Sequence, residues 1–244
     1  MNPPITDGVV LNFNNININT KNRSGNIPLY NAVRSKKMEI IELFLKKGAF
    51  VNARDSYSVT PLQIAIENGS EEIVKLLLKH GASINSACNC AFWEGYTPLC
   101  LAVRKGHEEV FKLLLESGTN VNAQDKVGKT VLHFAVENGQ DKFVQLLLES
   151  GAYVNAQDKD GKTVLYFAFE KGQDKIIQQL LESGANADAQ DKDGKTVLHF
   201  AVEKGQDKVI QQLLESGANV NAEDKDGKTV LHFAAERRPK KKTR

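Results

Sequence analysis

The chain of 244 residues is 41% hydrophobic and 25% charged, which is ordinary globular composition and excludes a disordered, fibrous or membrane-embedded class. No apolar run approaches the roughly 18 residues of a spanning helix, and residues 1–26 are polar and Asn-rich without the apolar stretch of a secretion signal, so the cytoplasm is the expected location. The formal charge of +2 is uneven: six of the last eight residues are basic, and without them 26 basic residues face 30 acidic ones, which argues against a nucleic-acid-binding body.

Taken in chain order, Val9 to Asn26 is expected to supply the tail of a second helix and then a finger in which Asn17-Ile18-Asn19 mirrors Asn219-Val220-Asn221. From Ile27 a period dominates. Its anchors are Ile27-Pro28-Leu29, Thr60-Pro61-Leu62, Thr97-Pro98-Leu99, Thr130-Val131-Leu132, Thr163-Val164-Leu165, Thr196-Val197-Leu198 and Thr229-Val230-Leu231, spaced by 33 residues except for 37 between Thr60 and Thr97. The organisation is therefore a partial N-terminal unit with an Asn-rich finger (1–26), repeats over 27–236 starting at 27, 60, 97, 130, 163 and 196 with a partial unit at 229, and a basic tail (237–244).

Within one period, Thr196 is a helix N-cap, Leu198, Ala201 and Val202 make an apolar stripe, and Gly205 stops the helix. A second helix follows, with Asp207 in its first turn, Val209, Ile210, Leu213 and Leu214 on its buried face, and Gly217 as its stop. Asn219 to Lys228 carries the Asn, Asp and Gly of a tight β-turn finger. Helices under roughly 12 residues are marginal alone, so the units must stack and bury their Leu, Val and Ala stripes together.

The period, with "TPLQIAIENGSEEIVKLLLKHGASIN" from Thr60 and "TPLCLAVRKGHEEVFKLLLESGTNVNAQD" from Thr97, resembles the ankyrin repeat family over about Asn15 to Glu236. Departures are Val at the family's Pro (Val131, Val164, Val197, Val230) and Tyr30, Gln63, Cys100 and Tyr166 at its His, which His133, His199 and His232 keep. The resemblance implies an all-α repeat solenoid, an ankyrin-like stack of helix-turn-helix units with β-turn fingers. It implies a structural role for those histidines and a concave binding face made of finger tips and the exposed side of each first helix.

The recurring Gly-Lys-Thr invites a phosphate-loop reading, but Ala123, Ala156, Ala189 and Ala222 stand where the loop's leading glycine must be. Calcium fails similarly: Ala156 opens the would-be loop and Phe167 occupies the place of its bidentate glutamate. The expected roles are a turn glycine, a solvated lysine and a capping threonine. Cys88, Cys90 and Cys100 lack metal or redox spacing and are expected to be reduced thiols. No nucleophile has an identifiable base, so the chain is expected to be no enzyme and to use no cofactor or metal.

What remains is surface recognition. The repeats from Thr163 and Thr196 agree at 27 of 33 positions, whereas the Ile27 repeat agrees with the Thr196 repeat at 11, so individual specification lies in the N-terminal half. Its finger "SINSACNCAFWEGY" is longer by four residues and carries three aromatics. Tyr57, Val59, Phe92, Trp93, Tyr96, Arg104 and Lys105 are the expected partner-binding residues, Trp, Tyr and Arg being the types enriched at binding hot spots. The expected function is a protein-protein interaction module or adaptor for an unidentified protein, with no small-molecule substrate or membrane. Two alternatives are a host-directed effector of an intracellular microbe or virus, which would act in a host cell, and a structural spacer without a partner. The basic tail is a candidate nuclear-import signal.

Overall fold

The computed structural model of the chain describes residues 5–6, 9–10, 17–87 and 96–236. These form two compact units, residues 1–120 and 121–244. Unit 1 holds the helix pairs α1 (Pro28–Arg34) with α2 (Met38–Lys46), α3 (Pro61–Glu67) with α4 (Glu71–Lys79), and α5 (Pro98–Lys105) with α6 (Glu108–Glu116). Unit 2 holds α7 (Val131–Glu137) with α8 (Asp141–Glu149), α9 (Val164–Glu170) with α10 (Asp174–Glu182), α11 (Val197–Lys204) with α12 (Asp207–Glu215), and finally α13 (Val230–Glu236). First helices pack on first helices and second helices on second helices, which makes the architecture an all-α repeat solenoid. Near the N-terminus, strand β1 (Ile5–Thr6) pairs antiparallel with β2 (Val9–Val10). A helix tail beginning at Val9 is thus corrected to extended chain, which suits two β-branched valines; residues 11–16 of that stretch lie outside the described residues.

Five of the first helices start at a capping threonine, whereas α1 follows Ile27, which makes no side-chain cap bond. Thr60, Thr97, Thr130, Thr163 and Thr196 are N-caps in extended conformation. Thr60 and Gln63 close a reciprocal box: the Gln63 N–H donates to Thr60 Oγ1 (3.3 Å) and the Thr60 N–H to Gln63 Oε1 (2.8 Å). Histidine replaces glutamine in this role, His133 and His199 Nδ1 each accepting the N–H of Thr130 and Thr196 at 3.1 Å. His199 Nε2 then reaches the Lys228 carbonyl of the next finger at 3.2 Å, and in unit 1 the Tyr30 hydroxyl accepts the Asp55 N–H at 3.2 Å. These side chains tie one repeat to the next within each unit.

The core is the two apolar stripes. Leu99, Ala102, Val103, Phe111 and Leu114 in unit 1, and Leu132, Ala135, Val144, Leu147, Ala168, Ile177 and Leu180 in unit 2, are fully buried. In α12, Val209 and Leu213 are buried as expected, but Leu214 is 43% exposed. The flank of α10 is covered by α12, whereas no described second helix follows α12.

The loops and fingers form ladders. Asn19, Asn52, Asn122 and Asn155 each donate through Nδ2 to a glycine carbonyl of the next loop (Gly48, Gly81, Gly151, Gly184) and accept through Oδ1 from an N–H two residues beyond it (Phe50, Ser83, Tyr153, Asn186). Asp55, Asp125, Asp158, Asp191 and Asp224 each close a finger, as where Asp158 Oδ1 accepts the N–H groups of Asp160 (2.8 Å) and Lys162 (3.0 Å), and Asn22 does the same in the first finger. Neighbouring fingers join by single backbone bonds, Lys159 N–H to Val127 O (2.9 Å) and Lys192 N–H to Asp160 O (3.0 Å). Glycine at 128 is required by this approach: its φ is +86°, and a Cβ there would lie 2.9 Å from the Lys159 nitrogen.

Candidate protein-docking face

The lysines of the Gly-Lys-Thr motif are not the solvated side chains expected from the sequence. Lys129 Nζ lies 4.5 Å from the Phe167 ring centre and bonds Glu137, its side chain only 21% exposed. Lys162 Nζ is 4.4 Å from the Tyr166 ring centre, Lys195 is 4.8 Å from that of Phe233, and Lys228 bonds Glu236 at 2.8 Å. The reason is the fingers' return into the first helix: the aliphatic stems run along the aromatic residues of that helix face, where the ring quadrupole attracts the ammonium. In unit 2 the lysine before each first helix is thus set against an aromatic ring or a first-helix glutamate, whereas Lys159 and Lys225 at the finger tips are exposed and Lys192 pairs with Asp160. The finger aspartates' Oδ1 atoms are occupied by backbone N–H groups.

In unit 1 the same two positions, eight residues apart, hold a different pair. Tyr96 and Arg104 stand where Lys129 and Glu137 stand, with the Arg104 guanidinium carbon 5.6 Å from the centre of the Tyr96 ring. Lys105 Nζ crosses to Glu67 Oε1 at 2.8 Å, which sets the ends of α3 and α5 side by side. Tyr57 is 65% exposed at a finger tip held by Asp55, whose Oδ1 accepts the Tyr57 and Val59 N–H groups at 2.9 Å each. Fingers are also joined here, the Ser56 hydroxyl donating to the Ser24 carbonyl at 2.9 Å.

Of the expected partner-binding residues, Tyr57, Arg104 and Lys105 are exposed and Tyr96 is half-buried beneath Arg104. Val59 is not available: it is 8% exposed. It precedes the Thr60 cap, the place where an apolar side chain packs toward the fourth helical residue, and that residue, Ile64, is buried too. Phe92 and Trp93, with Cys88 and Cys90, lie outside the described residues.

Two residues escaped the sequence reading. Lys36 has φ 53° and Ser58 φ 61°, the left-handed region that glycine occupies in other repeats, as at Gly69 and Gly106 after first helices and Gly128 and Gly161 in fingers. A side chain in that conformation costs on the order of 1–2 kcal/mol, and such strain clusters at functional sites. Lys36 Nζ reaches across to the Asn68 carbonyl at 3.2 Å, joining the ends of α1 and α3. The signal was present in the period, as two missing glycines.

Comparison with known proteins agrees with this geometry. The family model described as ankyrin repeats (3 copies) matches residues 6–88, 86–158 and 165–242. The chain belongs to the ankyrin repeat family. Among solved structures, the ankyrin repeat domain of Bcl-3, described as a unique member of the IkappaB protein family, is 31% identical, with a TM-score of 0.80 over 87% of this chain and 95% of that one. No curated protein matches the sequence. Ankyrin repeats are in general non-enzymatic protein-protein interaction modules. In ankyrin terms, the unit 1 face consists of the finger tips and first-helix ends of the repeats starting at Ile27, Thr60 and Thr97.

Proposed function

We propose that the chain is an adaptor that docks a partner protein on the finger tips and first-helix ends of unit 1. The observation that carries this reading is the replacement of a self-neutralising Lys–Glu pair, as at Lys129 and Glu137, by Tyr96 and Arg104. An aromatic ring under a guanidinium, in a unit that also exposes Tyr57 at a finger tip, is the composition of an interface anchor rather than of a solvated face. The face is preformed by capped helices and bonded fingers, so docking costs little conformational entropy. The adaptor acts in the cytosol, with Arg237 to Arg244 as a nuclear-import signal; a host-directed role would use the same face and add only a destination.

The test is partner capture by proximity labelling with the full chain and with Tyr57, Trp93 and Tyr96 all changed to alanine. Loss of a discrete partner in a variant that keeps its helical circular dichroism supports the adaptor. Unchanged capture removes this face from the account, and absence of any discrete partner with the wild-type chain favours a spacer.

A further inference from the structure

We infer that the partner of the unit 1 face is an acidic segment of a protein, taken up by Arg34, Lys36 and Arg104 around Tyr57 and Tyr96. This rests on the docking-face reading and adds the chemistry of what docks. The residue at the exposed end of the first helix is Glu137, Glu170, Glu203 and Glu236 in unit 2, but Arg34, Glu67 and Arg104 in unit 1. Two of the three signs are reversed. The residues eight positions earlier, lysines throughout unit 2, are the uncharged Asn26, Val59 and Tyr96.

The carboxylates of this face are already engaged. Asp55 Oδ1 closes its own finger, and Glu67 Oε1 holds Lys105 at 2.8 Å. Arg23, Arg34 and Lys36 are exposed, and among the described residues neither Arg34 nor Lys36 meets a carboxylate. Lys36 also occupies a left-handed position that glycine would fill without strain, so a cation is kept there against a backbone cost. A few cations interleaved with tyrosines, on a chain whose body is net acidic apart from its tail, suit a short acidic and aromatic peptide better than the long uniform phosphate array of a nucleic acid.

The test measures anisotropy of fluorescein-labelled poly(Glu,Tyr) with the full chain, against poly(Lys,Tyr) and a duplex DNA oligonucleotide. The comparison is repeated with the Arg34→Glu/Arg104→Glu double variant. Glutamate already stands at the corresponding place in four unit 2 helices, so the variant is expected to fold; Arg34→Ala/Arg104→Ala replaces it if circular dichroism shows otherwise. The expected result is salt-sensitive binding of poly(Glu,Tyr) that weakens by about tenfold or more in the variant. Equal binding to the variant, or binding of DNA or poly(Lys,Tyr) as tight as that of poly(Glu,Tyr), overturns the acidic class. A photo-crosslinker at Tyr57 separates the two levels. If it still captures a discrete protein in the charge-reversed variant, the docking face stands and the acidic partner falls; if it captures none in the wild-type chain, the face itself falls.

Discussion

Arg104 lies over the ring of Tyr96, 5.6 Å from its centre, at the two positions where unit 2 sets Lys129 against Glu137. One backbone thus carries two surface chemistries, and exchanging them is expected to leave the fold alone. The Tyr96→Lys/Arg104→Glu double variant should stay within about 0.5 kcal/mol of wild type in urea unfolding, since lysine and glutamate already occupy these two places around the Thr130 cap in Lys129 and Glu137. The same variant should lose the captured partner. A large loss of stability would mean that the pair is structural.

Lys36 and Ser58 hold left-handed backbone at φ 53° and 61°. Lys36→Gly and Ser58→Gly should each stabilise the chain by about 0.5–1 kcal/mol, strain relief being partly offset by the greater unfolded-state freedom of glycine. Lys36→Gly should also weaken partner binding. Urea midpoints and binding measured on the same samples check both, and destabilisation by either glycine would contradict the strain assigned to it.

Much of this was legible in the sequence, because a period constrains every residue that repeats with it. The Thr60 start, the Gly205 stop and the buried Val209 and Leu213 follow from cap chemistry and helical spacing. The errors have separate physical causes. Val59 was placed on the surface by its neighbours, but as the residue before a cap it folds inward beside Ile64. The direction of Lys129 was not readable, since a lysine stem follows whatever apolar surface lies beside it, here Phe167 of the next repeat. Leu214 was given a partner by the pattern, whereas burial depends on a second helix that does not follow among the described residues. The left-handed Lys36 and Ser58 are legible only as glycines missing from the period, because neither side chain itself favours that backbone region.

Asp188 interrupts the asparagine ladder. Its Oδ1 accepts the Asn219 N–H at 2.7 Å, but a carboxylate has no N–H to return to the following loop as Asn155 returns one to Gly184. Asp188→Asn should complete the rung and stabilise unit 2 by about 0.5–1 kcal/mol. Thermal unfolding at neutral pH checks this, and an unchanged or lower midpoint would show that the rung contributes nothing.

His133 is buried and receives the Thr130 N–H on Nδ1, which requires the neutral ring. Burial, with Lys129 acting in the same sense, lowers its pKa from 6.5 to about 4 against the opposing Asp158, Asp125 and Lys162 carbonyl. The unfolded chain therefore takes up the proton first, and this contribution to stability is full above pH 6.5 and lost as pH falls toward 4. His133→Gln keeps a capping partner, as Gln63 does in the repeat from Thr60, but cannot titrate. Relative to wild type it should gain up to about 3 kcal/mol across that window. Parallel pH profiles would refute the assignment.

The central claim is that the partner docks on the Tyr57 face of unit 1. Tyr57 and Tyr153 are equally suited to a photo-crosslinking residue, being 65% and 68% exposed, but Tyr153 sits on a loop of unit 2 away from any first-helix end. Irradiation in cells should give a discrete crosslinked partner from position 57 and none from position 153. The reverse pattern, or the same adducts from both, would contradict the account.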